Sequence, residues 1–241
     1  MNNNKTMSNI KRLIKNIPGI KFSWNLFAEY RLSKLDTESR FTNIYNQNSW
    51  GDADSLSGTG SNLAATEVIR YSIEKLITNY NIKTILDIPC GDFYWMKAVE
   101  MNDIKYIGAD IVKPLIDVNN KEYSNKNRTF KQIDIITGDL PEVDLIICRD
   151  CLVHLCNEDV KRATLNIIKS KSKYLLTTTF PDHIKNNDII TGRWRPINLN
   201  ITPFNFPESI FKIKEEYIED SEFADKNLSL WRISDLHNLI L

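Results

Sequence analysis

The sequence predicts a doubly wound α/β fold. Short β-rich runs alternate with helical stretches of about ten residues or more, and the central runs are mostly apolar rather than alternating. Strands of that kind are buried on both faces, as helical crossovers between parallel strands require. The end of the chain departs from this pattern, with two strand-like runs joined by a polar loop.

The elements follow in order. Residues 62–79 carry Leu63, Val68, Ile69, Ile73, Leu76 and Ile77 at helical spacing. Residues 84–88 (TILDI) form a first strand, followed by a helical stretch around 95–101. Residues 105–109 (KYIGA) are a second strand, and 113–123 a helix opened by Pro114. Residues 128–133 are a third strand and 143–148 (VDLIIC) a fourth. A helix over 155–170 follows, with Leu155, Val160, Ala163, Ile167 and Ile168 apolar, and then a fifth strand over 174–178. The runs 211–218 and 228–233 suit an antiparallel pair at the sheet edge. The expected architecture is a Rossmann-like sheet of about seven strands, mostly parallel with an antiparallel C-terminal hairpin strand.

Composition bounds what such a fold can do. The chain has 241 residues, and its 31 basic side chains balance 31 acidic ones. That balance argues against a polyanion-binding protein, and no nucleic-acid partner is expected. At 42% hydrophobic residues the chain is too apolar for disorder and long enough for a full core. No apolar run approaches the ~20 residues that span a bilayer, and residues 1–21 lack the apolar core of a signal peptide. Three of the four cysteines (Cys90, Cys148, Cys151, Cys156) crowd into the segment 148–156, which suits a reducing cytoplasm better than a secreted framework. Residues 1–50 read as an N-terminal helical extension. Within it, Ile10, Leu13, Ile14 and Ile17 share a face opposite Lys11, Arg12 and Lys15. Residues 10–21 would either pack on the core or make weak contact with a membrane surface.

In doubly wound sheets ligands bind at the carboxyl ends of strands, near the switch point. After the first strand comes Asp87-Ile88-Pro89-Cys90-Gly91-Asp92-Phe93-Tyr94-Trp95. A glycine turn there lets a ligand approach the backbone, but neither the G-x-G-x-x-G fingerprint nor a Walker A loop is present. Asp87, Asp110 and Asp134 stand at the ends of three successive strands, and Cys148-Arg149-Asp150-Cys151-Leu152-Val153-His154 ends the fourth. Each Asp alone could be a turn former or helix cap; three in register point to a ligand.

These segments resemble the class I S-adenosylmethionine (SAM)-dependent methyltransferases over roughly residues 57–241. Residues 86–93 are similar to their motif I, usually Leu-Asp-x-Gly-Cys-Gly-x-Gly, with Pro89 and Phe93 in place of two glycines. The resemblance implies a methyltransferase domain over 51–241, with SAM as cofactor and S-adenosylhomocysteine (SAH) as product. It places Asp110 at the ribose hydroxyls, Asp134 at the adenine amino group, and Asp87, Cys90, Gly91, Asp92, Phe93, Trp95, Ile111, Ile135 and Arg149 around the cofactor. Ser57, Gly58 and Ser61, in a loop before a helical pattern, would offer amides to the methionine carboxylate or simply form a turn and cap. Trp50, just before that loop, reads as a core or lid aromatic. The pattern Asp-x-Pro-Cys-Gly-Asp-Phe-x-Trp, with Cys-Arg-Asp-Cys-Leu-Val-His-Leu, is similar to a bacterial subgroup linked to surface polysaccharide (capsule) synthesis.

Cys148, Cys151, His154 and Cys156 could instead form a zinc site or a redox pair, though closed zinc sites pair distant knuckles. Relatives with a metal have a second acid where Val153 stands, so none is expected. Asp150 and His154, four apart, are the expected catalytic pair: His154 as base, Asp150 as its orienter or an alternative base. His183 is a further candidate base, and His237 reads as structural. The long connection 181–207 is expected to be a lid, with Arg193, Trp194, Arg195 and Asn205 binding a sugar or phosphorylated acceptor. The reading is an O-methyltransferase of a small polar acceptor. A degenerate scaffold protein and a nucleic-acid methyltransferase are the alternatives.

Overall fold

The computed structural model describes residues 34–50, 54–215 and 223–239. The amphipathic stretch expected over 10–21 lies outside them. Seven strands form one sheet: β1 (Thr84–Asp87), β2 (Lys105–Asp110), β3 (Arg128–Gln132), β4 (Leu145–Cys148), β5 (Tyr174–Thr179), β6 (Phe211–Lys214) and β7 (Asn227–Arg232). Their spatial order is β3-β2-β1-β4-β5-β7-β6. β1 to β5 pair in parallel, and β7 runs antiparallel to both β5 and β6.

The central strands β1, β4 and β5 are largely apolar because each feeds two core layers. Leu86, Ile146, Cys148 and Leu175 face one layer. Ile85, Leu145, Ile147 and Leu176, one residue out of step, face the other. Among the described residues four α-helices and the connecting loops cover these faces. Helix α1 (Thr37–Asn46) is capped by Asp36, whose carboxylate accepts the Ser39 N–H at 2.7 Å. Helix α2 (Glu67–Asn79) buries Ile69, Ile73 and Leu76, and α3 (Lys113–Tyr123), with Pro114 in its first turn, buries Ile116 in the same layer. Helix α4 (Asn157–Lys169) buries Val160, Ala163 and Ile167 in the opposite layer. That layer is completed by Ile197, Leu199, Phe204 and Phe206 from the connection after β5.

Three expected helices are shorter than their apolar patterns. Residues 62–65 form a turn instead of a helix because the Asn62 side chain accepts the Ala65 N–H at 2.8 Å. Only the turn Met96–Ala98 forms in 95–101, since Val99 is already extended. Leu155 is buried outside α4 because Cys156, at its N-cap, is extended.

Phe93 shows how the chain manages without a glycine at that position. Its backbone is left-handed (φ 58°), a conformation that costs an L residue about 1 kcal/mol. The ring is fully buried, with Tyr106, Tyr123 and Phe130 at centroid distances of 5.2, 5.4 and 5.2 Å and the Arg128 guanidinium 4.7 Å from its centre. Burial of such a ring outweighs the backbone cost. Phe93→Ala is expected to destabilise by about 3–5 kcal/mol. Phe93→Gly, which relieves the backbone, should be about 1 kcal/mol less damaging than the alanine variant in urea unfolding. Equal loss in the two would show that the left-handed backbone carries no cost.

Candidate active site

A cavity of about 460 Å³ opens at the carboxyl ends of β1, β2 and β4, where the strand order reverses. Its size suits a small organic ligand. The loop Ser57 to Ser61 forms one wall, and Cys90, Gly91 and Trp95 another. The Asp92 carboxylate joins the two walls by accepting from the Leu56 N–H at 2.8 Å, Ser55 Oγ at 3.0 Å and Ser57 Oγ at 3.3 Å. Gly91 is left-handed (φ 53°), and a Cβ there would run into Ser57 Oγ. The glycine is thus required by the turn and by the loop packed on it.

Asp110 ends β2 at the cavity wall. Its carboxylate accepts the N–H groups of Val112 at 2.9 Å and Gly91 at 3.3 Å, and burial nevertheless pushes its pKa up to about 6. Asp134 lies farther round the wall with Ile111 and Ile135, and accepts from the Ile136 N–H and Thr137 Oγ1 at 2.9 and 2.7 Å.

Three residues expected around a ligand stand behind the wall instead. Asp87 is buried, accepts the Tyr106 hydroxyl at 2.6 Å and is pushed up to about 7 by burial. Its position in the sheet gives the carboxylate to the neighbouring strand. Asp92 serves as the clasp described above, and Phe93 belongs to the core.

The opposite wall carries a four-charge network whose members are far apart in the sequence. The Arg149 guanidinium meets Glu215 at 2.7 Å, donates to the Gly60 carbonyl at 2.9 Å and lies 3.3 Å from Asp150. The Lys226 ammonium bridges Asp150 at 2.8 Å and Glu215 at 3.1 Å. All four residues line the cavity. Burial works against the Asp150 carboxylate, but Lys226 and Arg149 hold it well below the usual carboxylate range. Asp150 is therefore a paired anion and has no hydrogen bond to His154, which corrects the expected dyad.

His154 is held by other means. Its ring Nδ1 lies 2.9 Å from the Arg193 carbonyl. A carbonyl only accepts, so Nδ1 carries the proton and Nε2 presents its lone pair. Two backbone bonds clamp the same segment: Gly192 N–H to the His154 carbonyl at 2.8 Å, and Arg195 N–H to the Val153 carbonyl at 3.1 Å. Burial lowers the imidazole pKa below its ordinary 6.5, despite the Asp150 charge. The ring faces the cavity beside Trp50, at a centroid distance of 5.2 Å.

The connection 181–207 is packed into the fold rather than draped over the cavity; of its residues, Trp194 lines the cavity. Arg195 is buried, and its guanidinium donates to the carbonyls of Leu152 and Asn187 and to Asn157 Oδ1 at 2.9, 3.0 and 3.0 Å. It braces this loop against the turn that carries His154. Asn205 is exposed in a left-handed turn away from the cavity, and Arg193 acts there through its carbonyl. None of these three side chains lines the cavity, which corrects the expected acceptor set. His183 pairs with Asp225 at 3.4 Å outside it, and His237 lies against the carbonyls of Ile233 and Ser234. The aromatics Phe41, Tyr45, Trp50, Phe180 and Phe223 do line it.

No protein-family model matches the chain, and no curated protein matches it in sequence. Solved structures do match. Magnesium protoporphyrin IX methyltransferase from Synechocystis PCC 6803, with bound SAM, superposes over 82% of this chain and 97% of its own, with a TM-score of 0.56 at 13% identity. Human N-acetylserotonin methyltransferase in complex with SAM matches over 82% of this chain, with a TM-score of 0.57 at 14% identity, and this chain spans 60% of that longer protein. The methyltransferase domain of a bacterial Hen1 matches over 71% of this chain and 100% of its own, with a TM-score of 0.51 at 11% identity. The chain has the Rossmann-like fold of the SAM-dependent methyltransferases.

The charge network makes a direct test of the site's construction. Glu215→Ala would leave Arg149 and Lys226 facing Asp150 alone, and is expected to cost about 3–5 kcal/mol in urea unfolding. Glu208→Ala, which breaks an exposed pair with Lys212, should barely move the midpoint. Similar small losses in both would mean that the network does not hold the wall.

Proposed function

We propose that the protein is a SAM-dependent methyltransferase that methylates an oxygen of a small acceptor, with His154 as general base. The observation that carries this reading is the pairing, in one cavity, of a Gly91–Asp110 cradle and a neutral imidazole with a bare Nε2.

The residues present fit the cofactor. Asp110 projects a carboxylate suited to the ribose hydroxyls, Asp134 one suited to the adenine amino group, and the Ser57–Ser61 loop with Gly91 supplies a close backbone wall. When bound, SAM supplies a methyl whose C–S bond breaks as the new C–O bond forms, leaving SAH. His154 Nε2 takes the acceptor's hydroxyl proton, and the clamp on its backbone fixes the ring for that transfer. Asp150 and Lys226 keep the surrounding charge balanced.

A carbohydrate precursor of surface polysaccharide rests on the motif resemblance. A scaffold protein with a degenerate site would share the fold but not bind SAH. The even charge of the chain speaks against a nucleic-acid acceptor. Among the described residues no helix is long and apolar enough to cross a membrane.

Titration calorimetry with SAH tests the cradle. The ionised form of Asp110 accepts hydroxyl protons, so affinity should be level above pH 7 and fall by up to tenfold per pH unit below about 6. Asp110→Asn should weaken binding roughly 10- to 100-fold and flatten that pH dependence. Full affinity in the variant would remove Asp110 from the cofactor site.

His154→Gln should lower kcat by roughly 10²- to 10⁴-fold while leaving SAH affinity within about twofold. Because the imidazole pKa is lowered, the acid limb of the wild-type rate should fall below pH 6.5. An unaltered maximum rate in His154→Gln would end the general-base assignment.

A further inference from the structure

We propose that the acceptor is an uncharged phenol: a planar aromatic ring bearing the hydroxyl that is methylated. This inference rests on the methyltransferase reading above and names its substrate class.

Seven aromatic rings besides His154 line the cavity: Phe41, Tyr45, Trp50, Trp95, Phe180, Trp194 and Phe223. Trp50 packs beside the imidazole, and Trp194 follows Arg193, whose carbonyl holds that imidazole in place. Trp194 meets Phe223 edge-on at 4.9 Å and Phe180 at 6.1 Å. Phe41 and Tyr45 of α1 line the same cavity. Trp50 and Trp194 each keep about two-fifths of their surface open, 38% and 43%. These rings come from separate segments, before and after β1, after β5 and before β7, so the aromatic lining is a property of the cavity and not of one apolar run. Planar apolar walls favour a planar apolar body.

Charge on the same wall excludes an anion. Arg149 and Lys226 are matched by Asp150 and Glu215, two cations against two carboxylates. Arg195 is spent on Leu152, Asn187 and Asn157. A phosphorylated acceptor would therefore enter a wall with no surplus positive charge among the described residues, at a desolvation cost nothing repays. A sugar fails for a related reason. Several hydroxyls would leave water together, each needing a partner, while the four charged groups of this wall are already paired with one another.

The acid–base chemistry agrees. A buried, neutral imidazole is a weak base, and a phenolic hydroxyl, with a pKa near 10, lies within its reach. A sugar hydroxyl is far less acidic. In the reaction the phenol O–H proton passes to His154 Nε2, the oxygen gains the methyl, and the sulfonium becomes the neutral thioether of SAH.

Calorimetry on the SAH-loaded protein tests the inference with three probes of known chemistry: 2-naphthol, 2-naphthyl phosphate and methyl α-glucoside. The expected result is that 2-naphthol binds at least tenfold more tightly than either other probe. Trp194→Ala should lose tenfold for 2-naphthol, and Trp194→Phe should retain most of the affinity. The phosphate ester or the glucoside binding as tightly as 2-naphthol would overturn the phenol assignment, as would equal naphthol affinity in Trp194→Ala. The SAH titration made first separates the failures. No heat with SAH overturns both readings, whereas SAH binding without a naphthol preference overturns the acceptor class alone.

Discussion

The site depends on a buried ionic contact between distant parts of the chain. Arg149 leaves the end of β4, and Glu215 and Lys226 come from the ends of β6 and β7 that face each other at the sheet edge. The parallel order of β4 and β5, followed by the antiparallel pairing of β7, brings these ends together. Four charges with two of each sign satisfy one another, Arg149 and Glu215 buried and Asp150 and Lys226 half-buried, and each hydrogen bond to them is worth more than a neutral one. Through Gly60 the same arginine also fixes the serine–glycine loop. The cavity therefore has a wall set by electrostatics on one side and by the Asp92 clasp on the other.

Within that frame the chemistry is narrow. On the proposed reading the base is the His154 ring, which presents a lone pair to the cavity in a fixed orientation. Its orientation comes from a backbone carbonyl, which holds Nδ1–H without adding charge. A carboxylate partner would stabilise the imidazolium and make a stronger base. The carbonyl leaves a weaker base, suited to an acidic hydroxyl.

Much of the fold was legible because strand burial and helical spacing are local signals. The mostly apolar runs at 84–88 and 143–148 mark strands covered on both faces, and the pattern in 113–123 matches α3 to the residue. That Asp110, Gly91 and His154 border one cavity was legible because the ends of successive strands meet at the switch point of such a topology. Glu215 and Lys226 were not, since neither belongs to a motif, and only the register of β6 on β7 brings them together beside Arg149. Arg195 was misread for the opposite reason. An arginine beside tryptophan in a long connection has the signature of anion binding, yet three backbone and side-chain acceptors had already claimed its guanidinium. Asp87 likewise carried the right sequence position, but the Tyr106 hydroxyl on the next strand takes its carboxylate.

The central claim is that one cavity holds both the methyl donor and the base. A crystal structure of the protein with SAH tests it most directly. The account predicts the ribose hydroxyls on Asp110, the adenine on the Asp134 side, and the sulfur directed toward the part of the cavity bounded by His154 and Trp50. SAH bound elsewhere, or with its sulfur turned away from His154, would contradict it.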